Sequence, residues 1–164
     1  MAVVVVVMGV SGSGKTTVGT ALAARLGVPY AEADEFHPEE NIAKMTSGTA
    51  LTDADRLPWL RAIAAWIGEH AETGGVVTCS ALKRSYRDLL RAGGPAWFLH
   101  LHADQEVIAG RLSGRTGHFM PPSLLASQFA DLHPLESDEP GHRVDVTAPV
   151  EDVVAEAEAA AALR

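Results

Sequence analysis

The chain has 164 residues with 47% apolar and 21% charged content, which is typical of one globular domain rather than a disordered segment. Its net charge of −8 argues against a general nucleic-acid-binding protein, because such proteins neutralise phosphates with lysine and arginine. The one cysteine, Cys79, cannot form an internal disulfide, and no stretch approaches the ~20 apolar residues of a membrane span. We therefore expect a cytoplasmic protein that binds neither nucleic acid nor membrane.

Apolar runs and helical patterns alternate along the chain. The runs predict strands at residues 3–8, 30–33, 75–79, 97–101 and 143–146. The helical patterns cover residues 17–26, 41–45, 83–91, 105–112, 123–132 and 150–163, and a longer helix capped by Asp53 or Asp55 that runs towards Thr73. This alternation predicts an α/β fold in which a parallel central sheet is covered by helices on both faces.

A glycine-rich turn lies between the first predicted strand and the first predicted helix. Residues 9–16, GVSGSGKT, fit the pattern G-x-x-x-x-G-K-[ST], whose glycines let backbone amides point at phosphate oxygens. The Lys15 ammonium can reach the β- and γ-phosphates of ATP, and the Thr16 hydroxyl can bind Mg²⁺. The residues expected to contact ATP are Gly9, Ser11, Gly12, Ser13, Gly14, Lys15, Thr16 and Thr17.

A phosphate-binding loop indicates nucleotide binding but does not define the reaction. The sequence contains no N-K-x-D motif of the kind that GTPase switches use to read the base. The third predicted strand ends in Cys79-Ser80, whereas a motor or transporter ATPase would be expected to have an aspartate there. These two observations favour a small-molecule kinase.

Two further features have the chemistry that a kinase needs. Asp34 follows the second predicted strand, at the ligand-binding edge of such a sheet, where a carboxylate can orient a hydroxyl and accept its proton. Arg111 and Arg115 flank Gly114, which predicts a mobile lid whose arginines balance charge on the transferred phosphoryl group. The alternatives are an ordinary turn cap for Asp34 and a solvated helix end for the arginines.

Several blocks in the same order resemble the gluconate kinases of the small P-loop type, which are relatives of shikimate and nucleoside-monophosphate kinases. The blocks are residues 8–17, 34–45, 51–60, 79–88 and 115–129. A shikimate kinase is less well matched, because that family has a D-x-D pair where this chain has Glu32-Ala33-Asp34. Two departures from the resemblance are Glu39-Glu40, where a basic pair can occur, and His133, where a glutamate usually precedes the proline.

The resemblance implies transfer of the γ-phosphoryl group of ATP to the 6-hydroxyl of D-gluconate, with Mg²⁺, in a homodimer. It also implies a single P-loop kinase domain over residues 1–164, with a lid at about 111–132 and an acceptor-binding segment at about 34–60. His37, Lys44 and His118 are further acceptor contacts by this resemblance. A kinase for shikimate or another small acid and a non-catalytic nucleotide-binding regulator remain alternatives.

The carboxylate of such an acceptor needs a cation, and the planar guanidinium of arginine matches it best. Arg56, in the third of the five blocks, is the first choice for this role. The rival cations lie in the fourth block and are Lys83, Arg84 and Arg87.

Overall fold

The computed structural model describes residues 3–49, 51–113 and 122–162 and contains a parallel β-sheet. Its strands are β1 (Val4–Met8), β2 (Tyr30–Glu32), β3 (Gly75–Thr78), β4 (Ala96–His102) and β5 (Gly141–Asp145). They lie in the order β2-β3-β1-β4-β5, and each neighbouring pair is parallel. The predicted parallel α/β fold is therefore confirmed.

Seven α-helices connect or follow the strands in the described part of the chain. They are α1 (Lys15–Leu26), α2 (Glu39–Thr46), α3 (Asp53–Glu69), α4 (Arg84–Arg91), α5 (Gln105–Ser113), α6 (Pro122–Asp131) and α7 (Val150–Ala162). A single turn of 3₁₀ helix, Ala33–Phe36, follows β2. No helix among the described residues has the length and apolar content needed to cross a membrane.

The valine run of β1 is buried because both faces of the sheet are covered. Val5 and Val7 pack in a core with side chains from α1, α5, α6 and α7. Val4 and Val6 point the opposite way, into a second core formed with α3 and α4. Side chains of a strand alternate between faces, so one continuous apolar run supplies both cores.

The start and end of α3 differ from the prediction. The cap is Thr52, not Asp53 or Asp55: its hydroxyl accepts a hydrogen bond from the Asp55 amide at 3.1 Å, and the Asp55 carboxylate accepts one from the Thr52 amide at 3.0 Å. This reciprocal capping box satisfies two free amide groups and fixes the first turn. The helix ends at Glu69, with His70 as its C-cap, and does not run on towards Thr73.

A buried ion pair fastens the loop before β5 to α4. The side chains of Arg87 and Glu139 are both 0% exposed and are joined by hydrogen bonds of 2.6 and 2.9 Å. The remaining guanidinium donors bind the carbonyl oxygens of Ala81, Leu82 and Pro134. All five N–H groups of Arg87 are thus engaged within the protein. The pair also holds the backbone of Ala81, whose φ of 44° is unfavourable for a residue with a side chain.

We expect Arg87→Met to lower the free energy of unfolding by about 3–5 kcal/mol, because it leaves the buried Glu139 carboxylate without a partner. Urea denaturation at pH 7, followed by circular dichroism, measures this loss. The matched control is Arg25→Met, which removes an ion pair whose two side chains are each 42% exposed. We expect the control to lose less than about 1 kcal/mol. An equal loss in both variants would contradict a special role for the buried pair.

Candidate active site

The loop between β1 and α1 has the curled backbone expected of a phosphate site. Gly12 and Gly14 adopt φ values of 83° and 95°, which glycine tolerates and other residues rarely do. Gly9 lies so close to β4 that an added Cβ would be 2.9 Å from the Leu101 carbonyl oxygen. Helix α1 begins at Lys15, so its free amide groups and positive dipole end face the same loop.

The Lys15 ammonium lies against this loop. It donates hydrogen bonds of 2.9 Å to the Gly9 carbonyl oxygen and 3.1 Å to the Val10 carbonyl oxygen. Burial lowers the pKa of Lys15 to about 8, although Cys79, Asp34 and Glu32 act in the opposite direction. The ammonium is therefore mostly charged at neutral pH and loses its proton in mildly alkaline solution.

Two clefts meet at the phosphate loop. The first, about 590 Å³, extends from Ser11 towards Asp34 and Arg56; we call it the acceptor cleft. The second, about 550 Å³, extends from the start of α1 towards Arg111 and Val146; we call it the nucleotide cleft. Both volumes suit small-molecule ligands. The clefts share three lining residues, which are Gly12, Lys15 and Thr16.

Asp34 lies in the acceptor cleft, on the 3₁₀ turn that follows β2, and its side chain is exposed. Trp59 of α3 supports this turn, because its indole N–H donates a 2.7 Å hydrogen bond to the Ala33 carbonyl oxygen. The Trp59 ring also stacks on His37, with ring centres 4.4 Å apart and planes 9° apart. The indole therefore fixes both ends of the segment that presents Asp34.

Hydrogen bonding determines the proton position on His37. The Asn41 side-chain nitrogen donates to the Asp55 carbonyl oxygen at 2.8 Å and lies 3.3 Å from the His37 Nδ1. Since an amide nitrogen only donates, Nδ1 accepts and Nε2 carries the proton. Burial lowers the pKa of His37, with Arg56 acting in the same direction and Asp34 against it. His37 thus lines the acceptor cleft as a neutral hydrogen-bond donor.

Beside the acceptor cleft, which Arg56 and Tyr86 line, cationic and hydroxyl groups converge on the carboxylate of Asp53. The Tyr86 hydroxyl donates to the Asp53 carboxylate at 2.5 Å and accepts from Arg56 at 3.1 Å. The Lys83 ammonium lies 3.6 Å from the same Asp53 oxygen. The hydrogen bond from Tyr86, followed by the charge of Lys83, lowers the pKa of Asp53. Arg56, Lys83 and Tyr86 can therefore stabilise a carboxylate at this position.

Other predicted acceptor contacts are engaged elsewhere. The Lys44 ammonium pairs with Asp55 at 2.7 Å, and Arg87 is buried against Glu139. Arg84 makes ion pairs with Asp88, Glu136 and Asp138. Neither Arg84 nor Arg87 lines either cleft, and all five donors of Arg87 have protein partners. We therefore no longer assign Arg84 and Arg87 to the substrate.

The predicted lid residues lie on or beyond the edge of the described chain. Arg111 lines the nucleotide cleft, where its guanidinium donates a hydrogen bond to the Val146 carbonyl oxygen. In this structure it therefore contacts the residue that follows β5 and does not line the acceptor cleft. Arg115 and His118 fall outside the described residues.

Glu32 is a site residue that the sequence reasoning did not select. Its carboxylate accepts hydrogen bonds from Tyr30 at 2.5 Å and Thr78 at 3.1 Å, and it lines the acceptor cleft. Burial acts to raise the pKa of Glu32, but the hydroxyls of Tyr30, Thr16 and Thr78 and the charge of Lys15 lower it overall. The period of two in β2, which puts Tyr30 and Glu32 on one face, is a signal that could have found it.

Gln128 of α6 is a second missed residue. Its side-chain oxygen accepts a 2.8 Å hydrogen bond from the Ser11 amide, and its nitrogen donates a 3.1 Å hydrogen bond to the Ser11 hydroxyl. Gln128 also lines the acceptor cleft. No local pattern predicts this contact, because 117 positions separate the two residues.

Comparisons with known proteins show which family the chain belongs to. The family model described as shikimate kinase matches residues 11–135. A gluconokinase from Gluconobacter oxydans (strain 621H) is 53% identical over 142 residues, which cover 85% of this chain and 80% of that protein. The thermosensitive gluconokinase of Escherichia coli (strain K12) is 46% identical over 137 residues, or 82% of this chain and 73% of that protein.

A solved structure extends the similarity to three dimensions. The crystal structure of a gluconokinase from Sinorhizobium meliloti 1021 superposes with a TM-score of 0.90 at 48% sequence identity. The match covers 98% of this chain and 92% of that one.

The lowered pKa of Lys15 predicts that ATP binding takes up a proton in mildly alkaline solution. A pKa of about 8 leaves Lys15 partly neutral at pH 8.5, and bound phosphates favour the charged form. We expect Kd for ATP to rise by up to about tenfold per pH unit above pH 8. Calorimetry at pH 7.0 and 8.5, in buffers of different ionisation enthalpy, measures the proton uptake.

Lys15→Arg is the matched variant, because a guanidinium stays charged throughout this range. We expect its proton uptake to be near zero at both pH values. If the variant takes up as many protons as the wild type at pH 8.5, the proton does not bind at Lys15.

Proposed function

Because the chain belongs to the gluconokinases, within the shikimate kinase family of P-loop kinases, we propose that it phosphorylates D-gluconate at the 6-hydroxyl with ATP. The observation that carries this proposal is the meeting of two clefts at Gly12, Lys15 and Thr16. A nucleotide on one side and an acceptor on the other would approach each other at these residues. This arrangement suits in-line transfer of a phosphoryl group.

In the proposed reaction, the 6-hydroxyl oxygen forms a bond to the γ-phosphorus while the bond from that phosphorus to ADP breaks. The hydroxyl proton passes to the Asp34 carboxylate, which lines the acceptor cleft. The transition state is loose, so Asp34 acts mainly by orienting the hydroxyl. The products are ADP and 6-phospho-D-gluconate.

Positive charge on the phosphate loop balances the charge that develops on the phosphoryl oxygens. Lys15 lines both clefts, and its ammonium can exchange the carbonyl oxygens of Gly9 and Val10 for phosphate oxygens. Arg111 lines the nucleotide cleft and supplies a second cation on the ATP side. Arg115 and His118 remain predicted lid contacts, to the phosphoryl group and the acceptor respectively.

The residues at the junction of the clefts fit Mg²⁺ bound together with ATP. The described residues contain no group of three or more His, Cys, Asp or Glu that could hold a metal alone. Mg²⁺ rarely needs such a group, since it is usually held by one or two protein oxygens, waters and substrate phosphates. Thr16 offers a hydroxyl and Glu32 a carboxylate in the acceptor cleft. When bound, the ion neutralises charge on the β- and γ-phosphate oxygens.

The substrate carboxylate is best placed beside Arg56. Arg56 and Tyr86 line the acceptor cleft, and with Lys83 they already stabilise the carboxylate of Asp53. We propose that the carboxylate of gluconate binds this group, with His37 donating to a hydroxyl of the sugar acid. The homodimer implied by the resemblance is also proposed, and sedimentation of the purified protein tests it by giving the mass of two chains.

The function predicts that ADP release depends on D-gluconate and depends much less on shikimate or a nucleoside monophosphate. A coupled ADP-release assay with each acceptor at equal concentration measures this preference. In the same assay, we expect Asp34→Asn to lower kcat for gluconate by about 10²–10⁴-fold, because the amide can neither orient the hydroxyl by accepting its hydrogen bond as strongly as a carboxylate nor take up its proton. The matched control, Glu35→Gln, changes the next acidic residue, whose side chain is exposed, and should retain kcat.

If only shikimate supported ADP release, the alternative of a shikimate kinase would be favoured over a gluconate kinase. Release of no ADP with any acceptor, from a protein that still binds ATP, would favour a nucleotide-dependent regulator. A near-normal kcat for Asp34→Asn would remove Asp34 from the mechanism.

The assignment of the carboxylate predicts that Arg56→Ala raises KM for gluconate by about 10- to 100-fold. This corresponds to the loss of a hydrogen bond between charged groups. KM for ATP should change little, because Arg56 lies away from the nucleotide cleft. Arg61→Ala, which removes an exposed arginine from the same helix, is the control and should leave both KM values unchanged. An unchanged KM for gluconate in Arg56→Ala would show that another group binds the carboxylate.

A further inference from the structure

We propose that Gln128 is a positioning residue that turns the Ser11 hydroxyl so that its proton points at the phosphoryl group being transferred. The inference rests on the proposed kinase function but not on the identity of the acceptor. Helix α6 contributes to the acceptor cleft, and by this inference it also orients a hydroxyl group of the phosphate loop.

The orientation of the Gln128 amide follows from its partners. The Ser11 backbone N–H can only donate, so the Gln128 atom 2.8 Å from it must be the carbonyl oxygen Oε1. The other atom, Nε2, therefore faces the Ser11 hydroxyl oxygen at 3.1 Å. An amide is often ambiguous between its two orientations, but here the backbone donor removes the ambiguity.

This orientation constrains the serine hydroxyl. Because Nε2 donates to Oγ, that bond uses a lone pair of the oxygen, and the proton of the hydroxyl must point in another direction. Ser11 lies beside Gly12 and lines the acceptor cleft together with Lys15. A phosphoryl oxygen held at the junction of the two clefts is an acceptor for this proton.

The consequence for the reaction is an additional neutral donor. The Ser11 amide is occupied by Gln128, so the hydroxyl is the group that this residue can offer to phosphate. A donor fixed before the reaction stabilises developing charge without a cost of reorientation. Gln128 would act through Ser11 and not by touching the phosphoryl group itself.

The alternative is a purely structural role, in which Gln128 only links α6 to the phosphate loop through its two hydrogen bonds. Gln128→Glu separates the two roles, because glutamate has nearly the same shape and can still accept from the Ser11 amide. Its second oxygen also accepts, so the Ser11 proton would turn towards α6 and the serine lone pairs towards phosphate. Both hydrogen bonds to Ser11 would persist in this variant, so a purely structural role would be kept. The orientation of the Ser11 hydroxyl towards phosphate would be lost.

The added negative charge of glutamate is controlled by repeating the substitution in a Ser11→Ala background. Repulsion between the carboxylate and phosphate persists there, but the effect on the hydroxyl cannot. We expect Gln128→Glu to lower kcat at least about tenfold more in the wild-type background than in Ser11→Ala, because loss of one preorganised donor can cost about 10²–10³-fold in kcat. Gln128→Met, which removes both hydrogen bonds, should give a smaller loss than Gln128→Glu.

Three measurements complete the test. Thermal unfolding of each variant shows whether the fold is kept, and kcat is measured with whichever acceptor supports ADP release by the wild type. Calorimetric titration with ATP and with ADP gives the preference for the γ-phosphate without any turnover. We expect Gln128→Glu to reduce this preference, and to reduce it less in the Ser11→Ala background.

Equal effects of Gln128→Glu in the two backgrounds, on both kcat and the preference for ATP over ADP, would overturn the proposal. A Gln128→Glu variant with unchanged kcat would also overturn it and would support the purely structural role. Failure of the proposed function is a separate result, because it would appear as a wild-type enzyme that does not use gluconate.

Discussion

The position of β1 between β3 and β4 is the constraint on which the rest of the structure depends. Since all three strands are parallel, their carboxyl ends lie at one edge, and the connections that leave β1 and its neighbours diverge there. The phosphate loop lies at this edge, between β1 and α1. The 3₁₀ turn Ala33–Phe36, which follows β2, lies at the same edge. Both clefts are consequences of this strand order, and neither requires a long insertion into the sheet.

Residues that touch no ligand in the proposed reaction determine the shape of the acceptor cleft. Trp59 holds the backbone before Asp34, and Arg87 holds the carbonyl oxygens of the turn at Ala81 and Leu82. Each supporting contact comes from the helical layer formed by α3 and α4. The core on that face of the sheet therefore stabilises the fold and also sets the geometry of the site.

Features set by neighbouring residues could be predicted from the sequence. The valine run, the glycine-rich turn and the position of Asp34 after a strand depend on local periodicity and spacing, and the structure has each of them. The sequence could not predict which of the cations at residues 83–87 lie near the acceptor cleft and which are engaged in ion pairs, because their partners lie far along the chain. Arg87 is buried by Glu139, 52 positions away, and the Ser11–Gln128 contact spans 117 positions. His133 also contacts a residue far along the chain, because its ring accepts a hydrogen bond from the Arg84 amide at the start of α4.

The stack of Trp59 on His37 gives the acceptor cleft an optical property. Trp59 is 7% exposed and borders the cleft, whereas Trp66 stacks on His70 and Trp97 lies in the core on the opposite face of the sheet. Because the His37 imidazole stacks on the Trp59 indole, we expect a ligand that displaces or polarises His37 to change the emission of that indole. The chain thus contains an intrinsic fluorophore whose signal reports on one cleft, without an attached dye or an engineered tryptophan.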